Sequence, residues 1–207
     1  MLFLTLTVST LPVYAHGTVD QKQEVWNVTT QILFSSPLGQ EFVPSRSPLL
    51  AVDVLIKCMN PTYGDDTLTV NIRESNIGGT ILGSVSQLVA VFEGSGRWFH
   101  FDLPSPVSLT LGSSYVIELV ATKATFGWAR NEDSYPLGRG IFEGSPNVNI
   151  DWTFRTYAPS PMVGGTVTQI DTVEVLSPWI GLASLVGIVV VAITKKRKLD
   201  LKGCRDS

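Results

Sequence analysis

The chain has 207 residues, 44% of them apolar and 16% charged, with 18 glycines and 12 prolines. That length supports one sizeable core and excludes a multidomain enzyme of ordinary build. With 15 basic against 18 acidic residues, net −3, it is no basic nucleic-acid binder, and its two cysteines rule out a disulfide-built scaffold.

The first residues, MLFLTLTVSTLPVYAHG, form an apolar run that ends in small residues, as a secretory signal peptide over residues 1–15 would. Cleavage after Ala15 would leave His16 as the new N-terminus. The basic residues that usually precede such a run are missing, since Met1 leads straight into leucine. A buried N-terminal strand is the competing reading, and it fits less well because strict alternation is absent.

Residues 16–158 read as an all-β ectodomain, an antiparallel two-sheet sandwich of jelly-roll type. From residue 25 onward the pattern has period two with repeated Gly and Pro punctuation. Trp26 to Phe34 is a first strand candidate, and its Asn27-Val28-Thr29 is an N-glycosylation sequon. In LLAVDVLIKC, Val52, Val54, Ile56 and Cys58 share a face opposite Asp53 and Lys57. In LTVNIRE, Leu68, Val70 and Ile72 alternate with polar residues, and Thr80 to Ala90 follows as another strand. In RWFHFDLP, Phe99, Phe101 and Leu103 oppose Trp98, His100 and Asp102. In SYVIELVAT, Tyr115, Ile117 and Leu119 oppose Glu118. Phe126 to Arg130, Arg139 to Phe142 and Trp152 to Tyr157 complete about eight to ten strands, joined by turns such as Asn76 to Gly79, Glu93 to Gly96 and Leu111 to Ser113. Each alternation puts one face on a core and the other in water.

After Tyr157 the pattern gives way to a Pro- and Gly-rich stretch, a stalk over residues 159–174. Val175 to Thr194 is an uncharged run of the length that crosses a bilayer, where about 20 helical residues cover roughly 30 Å of hydrocarbon. Pro178 falls in its first turn, Trp179 marks the outer interface, and Lys195-Lys196-Arg197-Lys198 follows at once. The expected topology is a single-pass type I protein at the cell membrane, with the ectodomain extracellular and the tail, residues 195–207, cytoplasmic. The tail carries six basic and two acidic residues, which leaves nine basic and 16 acidic on the exterior, net −7. Phosphate-rich partners are excluded for such a surface, because they need clustered Lys and Arg. Cys58 outside and Cys204 inside cannot pair.

Two stretches resemble known proteins. LTLGSSYVIELVATKATFGWARNEDSYPLGRGIFEGSPNVNIDWTFRTYA resembles the closing strands of a β-sandwich module attached to many secreted and surface proteins. Pro106, Leu109, Thr110, Gly112, Tyr115, Ile117, Leu119, Trp128, Tyr135, Pro136, Gly138, Asp151, Phe154, Arg155, Thr156 and Tyr157 carry it, within a domain from about Gln40 to Ala158. Such modules resemble carbohydrate-binding jelly rolls in architecture, an analogy of fold that does not establish sugar binding. The stalk and span resemble the C-terminal anchor of archaeal surface proteins, through Val163, Gly164, Gly165, Ile170 and Asp171, although Gln169 stands where that family often has Pro.

The binding candidate is FGWARNEDSYPLGRGIF, residues 126–142. If Phe126 to Arg130 is a strand, Phe126, Trp128 and Arg130 share a face opposite Gly127 and Ala129. Trp128, Arg130, Asp133 and Tyr135 would then form an aromatic platform with polar groups beside it, the composition sugar recognition uses. The other reading stays open: Trp128 in the core, Arg130 stacked over it, and Tyr135-Pro136-Leu137-Gly138 a tight turn. His100 and Asp102, two apart on a strand, could orient one another as in a hydrolase, but no G-x-S-x-G elbow supplies a nucleophile. Glu132, Asp133 and Glu143 could serve a glycosidase only if two of them flanked a cleft. Asp65, Asp66 and Asp151 are the candidates for a structural calcium, though no loop alternates Asp and Asn. The expectation is a non-enzymatic surface protein whose partner is an extracellular glycan or surface protein, with no cofactor beyond that calcium; the alternatives are a structural or adhesive cell-envelope component without a small ligand and, less favoured, an anchored hydrolase.

Overall fold

The computed structural model describes residues 17–160. The expected signal peptide, most of the stalk, the apolar span 175–194 and the basic tail lie outside the described residues. In chain order the strands are β1 (Thr18–Gln23), β2 (Val28–Gln31), β3 (Leu38–Phe42), β4 (Leu49–Cys58), β5 (Asp66–Glu74), β6 (Ile81–Val89), β7 (Arg97–Val107), β8 (Tyr115–Ala121), β9 (Phe126–Asn131), β10 (Gly140–Phe142), β11 (Ser145–Asn147), β12 (Asp151–Trp152) and β13 (Phe154–Ala158). The helical segments among these residues are two 3₁₀ turns, Leu33–Ser35 and Pro61–Tyr63.

All strand pairs are antiparallel and fall into two sheets. The second sheet has the order β11-β10-β3-β8-β5-β6. In the first sheet β7 lies along one flank of β4, while the other flank is shared: β13 pairs with Ala51 to Val54 and β9 with Ile56 to Cys58. Beyond Trp128, β9 leaves β4 and pairs with β12, so the segment from Asp151 to Ala158 crosses the fork between β4 and β9. β2 runs along the opposite edge of β9, and β1 along the outer edge of β13. The hairpins β5–β6 and β10–β11 stay within the second sheet, whereas the chain changes sheet on passing from β4 to β5, β6 to β7, β7 to β8 and β8 to β9.

Both sheets turn their apolar faces into one core. Val52, Val54, Ile56 and Phe101 of the first meet Leu68, Val70, Ile72, Ile117 and Leu119 of the second, as their period of two requires. The strands expected from that alternation are present, with β4 spanning the whole of LLAVDVLIKC. Three details differ. The stretch from Trp26 to Phe34 is a strand only over Val28–Gln31 and then enters a 3₁₀ turn. The stretch from Trp152 to Tyr157 is interrupted at Thr153, whose N–H and Oγ1 both donate to the Ala129 carbonyl at 3.0 Å, across the fork. Asp53 and Glu118, expected in water, are buried; Glu118 accepts from Asn71 and Arg73 at 2.7 Å, and Asp53 belongs to the cluster described next.

Candidate functional site

The residues of the expected platform do not meet on the surface. Trp128 is fully buried: its indole N–H donates to the Thr153 carbonyl at 2.8 Å, and its ring stacks on Trp152 with centroids 5.1 Å apart. Phe126 and Trp128 do share a face, but it is the inward one. The opposite face is closed by close packing, since a Cβ on Gly127 would fall 2.4 Å from Met59 Sδ and 2.6 Å from Thr29 Cγ2. Trp128 therefore plugs the fork in the sheet, and Trp152, not Arg130, is its stacking partner.

Tyr135 is buried as well. Its ring meets Phe154 edge-on at 5.1 Å, its hydroxyl donates to Gln21 Oε1 at 3.0 Å, and it accepts the Val43 N–H at 3.4 Å. Burial pushes the phenol up to about 12, against the Val43 hydrogen bond and with the charges of Asp20 and Asp151 adding to the rise. Asp151 draws this loop inward. Its Oδ2 accepts the N–H groups of Ser134 and Tyr135, each at 2.7 Å, and its Oδ1 accepts Gln40 Nε2 at 2.9 Å. Gln40 Oε1 in turn accepts the Trp152 N–H at 2.7 Å. Burial raises the Asp151 carboxyl above its usual value, opposed by these three donors. The tight turn at Pro136-Leu137 is present, and Gly138 closes it because a Cβ there would lie 2.0 Å from the Glu41 carbonyl oxygen.

That leaves two of the four at the surface. Arg130, half-buried, donates through Nε to Thr30 Oγ1 at 2.9 Å, and with exposed Asp133, Glu132 and Asn149 it lines an open depression without an aromatic wall. Glu143 lines a separate depression, so it does not face Glu132 or Asp133 there.

The calcium candidates are occupied by donors. Asp66 Oδ1 accepts Thr122 N, Thr122 Oγ1 and Lys123 N, Asp65 Oδ1 accepts the Val91 N–H, and Asp151 is held as described. A cation needs lone pairs where these carboxylates meet N–H groups. Among the described residues no three His, Cys, Asp or Glu side chains converge on a point where a metal could sit.

The richest constellation lies on the outer face of the first sheet. Asp53, at the middle of β4, is 5% exposed and has His100 of β7 and Arg155 of β13 as its direct cross-strand neighbours. Its Oδ1 lies 2.6 Å from His100 Nδ1, and its Oδ2 accepts the Tyr157 hydroxyl at 2.5 Å and Arg155 Nη1 at 3.4 Å. His100 Nε2 lies 3.1 Å from Asp102 Oδ1, and Tyr157 meets the imidazole edge-on at 5.2 Å. The Arg155 guanidinium sits 4.0 Å over the Trp98 ring and donates to Glu24 Oε1 at 2.7 Å. Burial alone would lower Arg155, but the hydrogen bond and charge of Glu24, helped by Tyr157 and Asp53, hold it above its ordinary value. Glu24 is lowered by its hydrogen bond from Lys22 first and by Arg155 second. Burial raises Tyr157, and the hydrogen bond to Asp53 and its charge add to the rise.

This arrangement supplies three half-exposed or exposed rings, Trp98, His100 and Tyr157, set between a guanidinium and three carboxylates on β4, β7 and β13 and just after β1. It is not a hydrolase triad. A triad histidine sets one nitrogen on a carboxylate and the other on a nucleophile's hydroxyl, whereas both nitrogens of His100 face aspartates. The alternation in the sequence already put Trp98, His100 and Asp102 on one face. It could also have placed Arg155 and Tyr157 opposite Phe154 and Thr156, but only the pairing of β4 with both β7 and β13 brings Asp53 between them.

No protein-family model matches the chain, and no curated protein matches it.

Proposed function

We propose that the chain is an exported sandwich of jelly-roll type, held at a cell membrane by the segment Val175–Thr194, whose ectodomain binds an extracellular carbohydrate or surface polymer. Two features support the architecture: the repeated passage of the chain between the two sheets and the apolar run followed by four basic residues. The observation that carries the binding reading is the outer-face cluster of Trp98, His100 and Tyr157 with Arg155, Asp53, Asp102 and Glu24. Ring faces suit the apolar face of a pyranose, and planar charged groups suit its hydroxyls. The exterior net charge of −7 favours a neutral polymer over an anionic one.

The test is retention of the full chain in detergent on a glycan array and on immobilised polysaccharides. The expected result is binding to at least one glycan that Trp98→Ala and Arg155→Ala each weaken tenfold or more. Retention on no glycan, or equal retention of both variants, overturns the reading. A second reading, an adhesive or structural envelope component without a small ligand, is favoured by one feature, the uncharged edge strand β6.

A further inference from the structure

The strands that end the two sheets are not protected alike. β7 carries Arg97, His100 and Asp102 and closes with Pro104 and Pro106. β1 carries Asp20 and Lys22 and breaks register between Val19 and Lys22. β2 has four residues, and β11 has three, one of them Pro146. Charges, prolines, bulges and shortness are the usual means of keeping an edge from pairing with another chain. β6 uses almost none of them. It is nine residues long, ILGSVSQLV, without a charge or a proline, and among the described residues no strand pairs with its outer edge. Its one bulge lies at its start, between Ile81 and Gly83, so Gly83 to Val89 is a regular ladder on β5. Ile81, Leu82 and Leu88 are exposed, Leu88 at 67%.

The order of residues in β6 identifies what pairs with it. Around Val85 the strand reads nearly the same in both directions: Ser84 matches Ser86, the short Gly83 matches the longer Gln87, Leu82 matches Leu88, and Ile81 matches Val89. We infer that β6 is a self-recognition edge on which a second copy of this chain docks antiparallel about a two-fold axis at Val85, joining the two second sheets into one. A two-fold contact must be self-complementary, residue i meeting j and j meeting i. In this register Val85 faces the partner's Val85, Ser84 faces the partner's Ser86, and exposed Leu82 and Leu88 face one another across the junction. Ser84 and Ser86 lie on the outer face, where Asn71 and Thr69 of β5 hold their hydroxyls at 2.7 and 2.8 Å on the flank away from the new strand. With no charge in β6, self-pairing meets no like-charge repulsion. The inference is independent of the sugar-binding proposal and of the outer face of the first sheet.

Full chain purified in detergent, with Cys58→Ser and Cys204→Ser, is the material for the test. Directly opposed residues of an antiparallel pair have Cα atoms about 4.5 to 5.5 Å apart, within disulfide reach. Oxidising a mixture of differently tagged S84C and S86C chains is expected to give at least fivefold more cross-linked dimer than either variant alone. Light scattering is expected to show a dimer that S84K/S86K and S84E/S86E each dissociate and that mixing these two variants restores. A monomer at every concentration, cross-links no stronger in the mixture than in the separate variants, or a dimer indifferent to both charge pairs overturns the inference. The cysteine variants decide the matter if a charged variant fails to fold.

Discussion

Trp128 and Trp98 sit on neighbouring parts of the same sheet, each on a strand flanking β4, and have opposite surroundings. Trp128 points inward, has its N–H bonded to a backbone carbonyl and stacks on a second tryptophan. Trp98 points outward, is half-exposed and has a guanidinium over its ring. The same contrast recurs in their companions: Tyr135 and Asp151 within, Tyr157 and Asp53 on the outer face. Residue type therefore does not separate a binding surface from a core here. The direction of the side chain and the donors it meets do.

The largest effect that tests this contrast is on the tryptophans. Trp128→Ala leaves a cavity at the fork and strips Thr153 O of its donor, so urea unfolding of the β domain is expected to lose about 3 to 5 kcal/mol. Trp98→Ala is expected to cost about 1 kcal/mol or less, because its ring is already half in water. Its consequence should appear instead in ligand retention. Equal losses of stability from the two variants would break the comparison.

This pair also shows what the sequence discloses. Period-two alternation is local, so it is legible: it placed Val52, Val54 and Ile56 on one face and Phe126 and Trp128 on one face. Which face of β9 is the core was not legible from β9 alone, because it depends on Met59 and Thr29 closing over Gly127. β1 and β3 are not legible as strands because TVDQKQ and LGQEF put glutamines at inward positions, and an inward Gln40 makes sense only once Asp151, 111 residues away, receives its amide. The burial of Asp53 was hidden for the same reason, since its three partners come from two other strands. At Gln40 and Asp53 what the sequence withheld is a polar group satisfied at long range.

The carboxylates give the next effect. Asp151 must accept on both oxygens, from two backbone N–H groups and from Gln40. An asparagine can offer one oxygen, and its amide then opposes a donor. Asp151→Asn is expected to destabilise the domain by about 2 to 3 kcal/mol in urea unfolding. Asp53→Asn is expected to cost about 1 kcal/mol, because Arg155 keeps Glu24 and the half-exposed His100 can turn to water. A larger loss at Asp53 than at Asp151 would mean that the outer cluster holds the sheet together more than it faces a ligand.

The smallest effect at neutral pH belongs to the tyrosines, and it grows with alkalinity. Tyr135 is raised from 10.0 to about 12 by burial. A hydroxyl whose folded value exceeds its unfolded one contributes stability that is complete below pH 10 and is lost as pH rises through 12, because the unfolded chain releases the proton first. Over that window the domain should lose about 2 to 3 kcal/mol from this group. Tyr135→Phe, about 1 kcal/mol less stable at pH 7, should lack that component and overtake the parent as pH approaches 12. Tyr157 is raised too, by burial and by Asp53, but it is half-exposed, so Tyr157→Phe should change the alkaline slope less. Unfolding measured from pH 8 to pH 12 separates the two: a steeper change on removing Tyr157 than on removing Tyr135 would place the more deeply buried hydroxyl on the outer face and reverse the assignment of core and surface.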